Sequence, residues 1–453
     1  MNSDTDTSND ILQVQDLNVD AVTRFGETLN IVKNISFSVA AGKVISLIGE
    51  SGSGKSTISL ATMAYARPGC LIRSGKVLLE DRDLLTLNAT ERQRARGADI
   101  AYIAQSAAAA FNGALTIGFQ VTEIANLKGI MTKREANERA ISLYKQLDLP
   151  NPETIGKLYP HQVSGGQLQR LMAAMAMMCY PKLLILDEPT TALDVTTQIE
   201  VLQAFKRLIQ NENTAAIYVS HDLSVVTQMA DEILVLKDGS MVELNSTEAI
   251  INDPQEKYTK MLMGAVPTIP ENPVSQSEIK SESLLKVDNV TAGYGLHGQI
   301  TILKNVSLEM KQGETVGVIG ESGSGKTTLG RVISGLMKPT QGKLLLEGKT
   351  LDHKVVDRSR DDLRQIQFVF QMAETALNPK QRIRHLLGRP LDFYLGKTGK
   401  EAEERIYELL DLVELPAEFI NRFPRELSGG QLQRVNFARA LAAEPKLIIC
   451  DEI

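Results

Sequence analysis

Two glycine-rich segments of the sequence have the residue types and spacing that bind phosphate groups. They are the nine-residue loops Gly49, Glu50, Ser51, Gly52, Ser53, Gly54, Lys55, Ser56, Thr57 and Gly320, Glu321, Ser322, Gly323, Ser324, Gly325, Lys326, Thr327, Thr328. Glycines let backbone N–H groups wrap around phosphate oxygens, and a helix that follows adds a favourable dipole. The lysines can neutralise phosphate charge, and the hydroxyls of Ser56 and Thr327 can bind Mg²⁺. Both loops therefore predict a nucleotide phosphate site with Mg²⁺.

The elements around each loop fit this chemistry. Residues 43–48 predict a buried strand before the first loop, and residues 58–64 predict a helix after it. Residues 314–319 predict the matching strand before the second loop. Strand, loop and helix is the context in which this motif binds phosphate, and a second copy at domain-sized spacing indicates an internal duplication. The chain is therefore predicted to be a tandem nucleotide-binding protein.

Acidic pairs follow a hydrophobic segment in both halves of the sequence. Asp187 and Glu188 end the predicted strand 182–186, and Asp451 and Glu452 stand at the matching place in the second half. Adjacent carboxylates at a strand end fit metal binding by the aspartate and general-base work by the glutamate. Gln105 and His221 also end predicted strands, and the series of motifs favours a functional role for His221 over a structural one.

A third pair of segments predicts further anion-binding surfaces. They are Ser164, Gly165, Gly166, Gln167 and Ser428, Gly429, Gly430, Gln431, each opening a predicted helix. A serine N-cap followed by glycines leaves backbone N–H groups exposed at the helix start. Two aromatic residues, Phe25 and Tyr294, are candidates for stacking on a base, with packing in a β layer as the alternative for Phe25.

Composition limits the class of protein. The chain has 453 residues, so two or three domains are expected. A net charge of −6 and a pI near 5.6 argue against a dedicated nucleic-acid binder. Three dispersed cysteines indicate a reducing compartment without a zinc or iron–sulfur site. The polar start does not resemble a secretory signal, and no apolar run is long enough to span a bilayer.

These motifs, in this order, resemble those of the ATP-binding-cassette (ABC) ATPase family over nearly the whole chain. The resemblance implies an α/β fold of two tandem P-loop NTPase cassettes, each with a RecA-like parallel-sheet core, an antiparallel β layer and a helical signature subdomain. It assigns the two glycine-rich loops as Walker A and the two Ser-Gly-Gly-Gln segments as signatures. Gln105 and Gln371 are assigned as Q-loop glutamines and metal ligands. Asp187 and Asp451 are assigned as Walker B aspartates, and Glu188 and Glu452 as catalytic bases. Residues 192–194 are assigned as the D-loop, and His221 as the switch histidine.

The chain also resembles one subgroup of this family, and residues 376–379 of the second half share the subgroup's pattern. Residues 253–268 and 159–162 are similar to segments of ATPase subunits from peptide and nickel importers, although the stretch 106–113 departs from their pattern. The expected domains are residues 10–267 with an importer-type extension, a linker at 268–283, and residues 284–453. By the spacing of the first half, a D-loop and a switch histidine of the second half fall beyond Ile453. We therefore expect a truncated product or partial sequence, with a natural end as the alternative.

The resemblance implies an ATP-hydrolysing, energy-coupling subunit of an importer for peptides or a related small solute. Expected cofactors are ATP and Mg²⁺. Expected partners are two integral-membrane permease subunits and an extracytoplasmic solute-binding protein, at the cytoplasmic face of the inner membrane, with the two cassettes pairing intramolecularly and no nucleic acid bound. Two alternatives stay open: a soluble tandem ABC ATPase acting on ribosomes or DNA, and a truncated nucleotide-binding fragment without turnover. Peptide, glutathione, nickel and opine all remain possible solutes.

Overall fold

The computed structural model describes residues 10–22, 28–50, 52–190, 193–264, 283–295, 300–321 and 323–452. The chain separates into two compact units, with the division between Ile269 and Pro270. Within the described ranges, every helix is too short or too polar to cross a lipid bilayer.

The first unit alternates strands and helices after an initial antiparallel pair. Its elements in chain order are β1 (Asp10–Val22), β2 (Thr28–Ala40), β3 (Val44–Ile48), α1 (Lys55–Ala61), β4 (Cys70–Leu79), β5 (Arg82–Asp83), α2 (Ala89–Ala95), β6 (Ile100–Ile103), α3 (Ala107–Ala110), α4 (Ile117–Leu127), α5 (Lys133–Gln146), α6 (Gly165–Ala176), β7 (Leu183–Asp187), α7 (Val195–Asn211), β8 (Ala215–Val219), α8 (Leu223–Met229), β9 (Glu232–Lys237), β10 (Ser240–Ser246), α9 (Thr247–Asn252) and α10 (Lys257–Gly264).

Two sheets organise the first unit. One is antiparallel, with strand order β2-β1-β4-β5, and the other has the order β10-β9-β3-β8-β7-β6. In the second sheet all neighbours are parallel except β10 with β9. Every residue of β3, β7 and β8 is buried, as expected for central strands covered on both faces. The carboxyl ends of β3, β6, β7 and β8 therefore meet at one edge of this sheet, which is where the predicted site residues follow.

Two apolar layers hold this arrangement. One lies between the two sheets and includes Leu17, Ile35 and Ile58. The other packs the opposite face of the parallel sheet against helices, and it includes Tyr144, Phe205 and Tyr218. Because α4, α5 and α6 contribute to this second layer, the helix that begins at the first signature segment is packed onto the sheet that carries the carboxylates.

The second unit repeats part of this plan. Its elements are β11 (Ser283–Tyr294), β12 (Ile300–Lys311), α11 (Lys326–Ile333), β13 (Gln341–Leu346), β14 (Lys349–Thr350), α12 (Arg360–Gln365), β15 (Ile366–Val369), α13 (Ala373–Ala376), α14 (Ile383–Leu395), α15 (Gly399–Leu412), α16 (Gly429–Leu441) and β16 (Leu447–Cys450). An antiparallel sheet has the order β12-β11-β13-β14, and β15 pairs in parallel with β16.

The strand predicted at 314–319 is wrong, because those residues form no strand in the structure. The matching strand β3 of the first unit is held between β8 and β9, which both follow Asp187 along the chain. The described strands of the second unit form the sheets β12-β11-β13-β14 and β15-β16, and neither sheet includes residues 314–319. Val318 and Ile319 are accordingly exposed. An apolar run without hydrogen-bonding neighbours does not hold a strand conformation.

Candidate active site

The first phosphate loop lies between β3 and α1, as predicted. Gly54 is the N-cap of α1 and has φ of 100°, a conformation that glycine adopts without strain. Gly49 passes so close to the neighbouring strand that a Cβ atom there would lie 2.1 Å from the backbone oxygen of Leu236. These two glycines therefore allow the loop to fold tightly around an anion. Ser51 lies outside the described residues.

Lys55 extends back over its own loop. Its Nζ donates hydrogen bonds to the carbonyl oxygens of Gly49 at 2.7 Å and Glu50 at 2.9 Å. Burial lowers the pKa of Lys55, against the opposing pull of nearby carboxylates, of which Glu188 is the strongest. The lysine is thus held inside the loop, where its ammonium group can bind phosphate oxygens.

Asp187, at the end of β7, has a different partner on each carboxylate oxygen. Ser56 Oγ donates to Oδ1 at 3.2 Å, and the hydroxyl of Tyr102 donates to Oδ2 at 2.7 Å. Tyr102 is not among the site residues that the sequence predicts. Its signal was present in the sequence: a hydroxyl-bearing side chain in an otherwise apolar strand, three residues before Gln105.

Glu188 is the meeting point of two other predicted residues. Gln105 Nε2 donates to Glu188 Oε2 at 3.2 Å, and His221 Nδ1 lies 2.9 Å from Oε1. The backbone N–H of Glu188 donates to Val219 O, and its φ of 50° is unusual for a residue with a side chain. A carboxylate fixed from both sides, next to the phosphate loop, is well placed to orient and deprotonate a water molecule.

The hydrogen bond with Glu188 raises the pKa of His221, which burial opposes. The imidazolium form is therefore favoured by its carboxylate partner. Replacement of Glu188 by glutamine removes the negative charge but keeps the shape, so we expect the pKa of His221 to fall. NMR titration of the histidine ring protons measures this change directly.

The matched control for this measurement is Glu452→Gln in the second unit, which leaves the Glu188 contact intact. We expect this variant to keep the His221 titration of the parent protein. Identical His221 titration curves in the parent and Glu188→Gln would contradict the contact as the cause of the raised pKa.

Ser164 caps α6 as the sequence predicted. Its side chain accepts from the backbone N–H of Gln167 at 3.3 Å, and Gln167 Oε1 accepts from the backbone N–H of Ser164 at 3.0 Å. Gly166 packs against Thr197 on α7, where a Cβ would lie 2.3 Å from a side-chain carbon. Asp194 caps that same helix by accepting from Thr197 N–H at 3.1 Å. The signature segment and Asp194 thus both contact Thr197, in the first turn of α7. Ala192 lies outside the described residues.

The second unit brings together a smaller set of predicted residues. Lys326 Nζ donates to the carbonyl oxygens of Gly320 at 2.8 Å and Glu321 at 2.9 Å. The Thr327 hydroxyl donates to Asp451 Oδ1 at 2.8 Å. In addition, Gln371 Nε2 donates to Glu452 Oε2 at 2.6 Å. The first unit has the same three contacts: lysine to loop carbonyls, hydroxyl to aspartate, and glutamine to glutamate. The two phosphate loops therefore have the same local hydrogen bonds.

The remaining predicted residues of the second unit also lie near their expected elements. Ser428 caps α16 by accepting from Gln431 N–H at 3.3 Å, with the same reciprocal bond as in the first unit. Tyr294 ends β11 with a half-exposed ring, and its hydroxyl lies 3.5 Å from Thr328 Oγ1 on the phosphate loop helix. Phe25 and Ser322 lie outside the described residues.

The donor set around Ser56 and Asp187 fits Mg²⁺. A hydroxyl oxygen and a carboxylate oxygen converge within hydrogen-bonding distance at the start of α1, and Gln105 contacts the adjacent Glu188 through its amide nitrogen. Oxygen ligands of this kind are the ones that Mg²⁺ prefers, usually together with substrate phosphates. The arrangement as a whole can therefore hold a phosphate chain, a divalent cation and a water molecule beside a carboxylate base.

Comparison with known proteins identifies a family and several relatives that this chain resembles. The ABC transporter family profile matches residues 32–191 and 303–453. The glutathione import ATP-binding protein GsiA of Shigella dysenteriae serotype 1 is 36% identical over 99% of this chain and 78% of its own length, and that of Escherichia coli strain K12 has the same values. A solved dimeric structure of the ATP-binding cassette MJ0796 covers 52% of this chain and 98% of its own, at 26% identity and a TM-score of 0.46. The chain belongs to the ABC transporter family of ATPases, with two cassettes in tandem.

Proposed function

We propose that the chain is the ATP-hydrolysing, energy-coupling subunit of an importer for glutathione, peptides or a related small solute. The observation that carries the ATPase site is the convergence of Gln105 and His221 on Glu188, beside the phosphate loop. The import direction and the solute class are supported by the relatives, which are named as glutathione import ATP-binding proteins.

In this proposal Glu188 orients the attacking water and accepts its proton as the bond to the γ-phosphorus forms and the bond to the leaving ADP oxygen breaks. His221 contacts one carboxylate oxygen of Glu188, and Gln105 contacts the other. Lys55 exchanges its bonds to Gly49 and Glu50 carbonyls for phosphate oxygens, and its charge offsets the charge of the transferred group.

The Mg²⁺ expected with ATP is assigned to Ser56, Asp187 and Gln105 in the first unit, and to Thr327, Asp451 and Gln371 in the second. When bound there, the cation offsets phosphate charge. The support is the oxygen-rich donor set of both units and the shared hydroxyl–aspartate hydrogen bond.

We further propose that each ATP is sandwiched between the phosphate loop of one cassette and the signature of the other within this chain. The first site then combines the loop 49–57 with Ser428–Gln431, and the second combines the loop 320–328 with Ser164–Gln167. The capping boxes at α6 and α16 support this role, because they fix the helix starts and leave N–H groups for an anion. Phe25 and Tyr294 are the proposed adenine contacts.

The proposed partners are two integral-membrane permease subunits and an extracytoplasmic solute-binding protein, which places the chain at the cytoplasmic face of the inner membrane. The domain assignment of 10–267, 268–283 and 284–453 is part of the same proposal. Support comes from the import function named for the relatives, which align with 99% of this chain.

Reconstitution tests the proposal. The chain is co-expressed with candidate permease subunits, and the complex in lipid nanodiscs is assayed for ATP hydrolysis with a solute-binding protein and glutathione, a dipeptide or Ni²⁺. We expect a stable complex whose hydrolysis rises with one solute and vanishes in Glu188→Gln. ATP hydrolysis by a chain that binds no permease, and that no solute affects, would contradict the importer assignment while leaving the ATPase assignment intact.

A further inference from the structure

The hydroxyl of Tyr102 acts on an aspartate from the neighbouring strand. Tyr102 lies on β6 and is paired in register with Ile185 of the parallel strand β7. Asp187 stands two residues beyond Ile185 and therefore shares its face of the sheet. This register is what brings the tyrosine hydroxyl within 2.7 Å of Asp187 Oδ2.

The Asp187 carboxylate is thereby fixed in rotation. Oδ2 accepts from Tyr102, and Oδ1 accepts from Ser56 on α1. Two donors from two different elements, acting on opposite oxygens of a buried carboxylate, define the plane in which it lies. With Oδ2 occupied, Oδ1 is the oxygen presented beside the Ser56 hydroxyl.

Tyr102 is suited to serve only as a donor. In this contact the phenol O–H donates and Asp187 Oδ2 accepts. Phenylalanine at the same position would keep the ring but could not make this hydrogen bond.

The second unit offers a natural comparison. Phe368 stands three residues before Gln371, as Tyr102 stands before Gln105, and it is paired with Ile449 in the equivalent register. Asp451 retains the hydroxyl contact on Oδ1, from Thr327. At this register, then, the second unit has a ring of the same size without the oxygen. The fold accepts phenylalanine here, and the two aspartates differ in one donor.

We propose that Tyr102 is a positioning residue that sets the orientation of Asp187 toward the Mg²⁺ bound with ATP. As a consequence, Mg²⁺ and nucleotide strengthen each other's binding at the first site more than the metal ligands alone would allow. This inference rests on the proposed function, since it takes Asp187 as a metal ligand. Removing a hydrogen-bond partner of a metal ligand typically lowers metal affinity about 10–100-fold, and a tenfold effect is expected for one neutral donor.

The experiment measures how strongly Mg²⁺ and nucleotide favour each other's binding. The affinity for trinitrophenyl-ATP is determined by fluorescence in EDTA and in excess Mg²⁺, and the ratio of the two dissociation constants gives the coupling. All measurements use the full chain carrying Lys326→Ala, so that the first site dominates the signal. Tyr102→Phe is expected to reduce this ratio about tenfold without changing the affinity in EDTA. The Mg²⁺ concentration for half-maximal ATPase activity rises in parallel, while kcat at saturating Mg²⁺ stays close to the parent value.

Asp187→Ala, also combined with Lys326→Ala, tests the metal assignment of Asp187 separately from the role of Tyr102. If Asp187→Ala abolishes the coupling and Tyr102→Phe leaves it unchanged, the Tyr102 inference is wrong and the metal assignment stands. If Asp187→Ala itself leaves the coupling intact, the metal assignment fails and the inference fails with it. Tyr102→Phe could also lower the affinity for trinitrophenyl-ATP equally in EDTA and in Mg²⁺. That result would mean that Tyr102 supports the fold of the loop, and it would overturn the proposed role toward the metal.

Discussion

Glu188→Gln is expected to lower the rate of ATP hydrolysis about 10²–10⁴-fold while ATP affinity changes little, because general-base catalysis typically contributes a factor of this size. Glutamine keeps the shape of the side chain and can still meet Gln105 and His221, but it cannot accept a proton from water. The phosphate-contacting Lys55 and the hydroxyl–aspartate pair of Ser56 and Asp187 are untouched. Phosphate release under saturating MgATP and equilibrium binding of a fluorescent ATP analogue measure the two effects separately.

The matched control is Glu452→Gln, which makes the same change in the second unit, where Gln371 also contacts the carboxylate. If both glutamates were bases of equal weight, each single variant would retain about half of the activity, and only the double variant would be inactive. A Glu188→Gln protein with near-normal hydrolysis would remove Glu188 from the role of base. Loss of ATP binding in that variant would instead indicate a role in holding the nucleotide.

The sequence was sufficient to predict which residues share one edge of the first sheet. Gln105, Asp187 and His221 each follow a hydrophobic run, and the carboxyl ends of parallel strands lie at the same edge, so their proximity follows from strand identity alone. The serine caps of α6 and α16 were equally accessible, because capping depends on residues three apart in the chain.

The contact between Tyr102 and Asp187 could not be predicted in the same way. It depends on the register of β6 against β7, and a shift of one residue would turn Tyr102 to the other face of the sheet. The strand expected at 314–319 failed for a related reason. Its apolar composition matches that of β3, but a central strand is stabilised by neighbours that are distant in sequence, and local pattern carries no information on whether they are present.

Lys55→Ala and Lys326→Ala are expected to have unequal effects on ATP hydrolysis by the 453-residue chain. The two lysines make equivalent bonds to their own loops, so the difference must come from their surroundings. Glu188 has both Gln105 and His221 against it, whereas in the described part of the second unit Glu452 accepts from Gln371 and contacts no histidine. The first loop is also anchored by the buried strand β3, while the residues before the second loop form no strand.

We therefore expect Lys55→Ala to reduce hydrolysis by about 10²-fold or more, the size of effect seen when one charge-stabilising donor is removed. Lys326→Ala is expected to cost less than about threefold, because we expect the second site, whose loop follows no strand, to contribute little of the turnover. Steady-state phosphate release gives the rates, and the stoichiometry of bound fluorescent nucleotide shows that each variant loses one site. Equal losses of activity would contradict the asymmetry and would mean that the two sites hydrolyse ATP as a coupled pair.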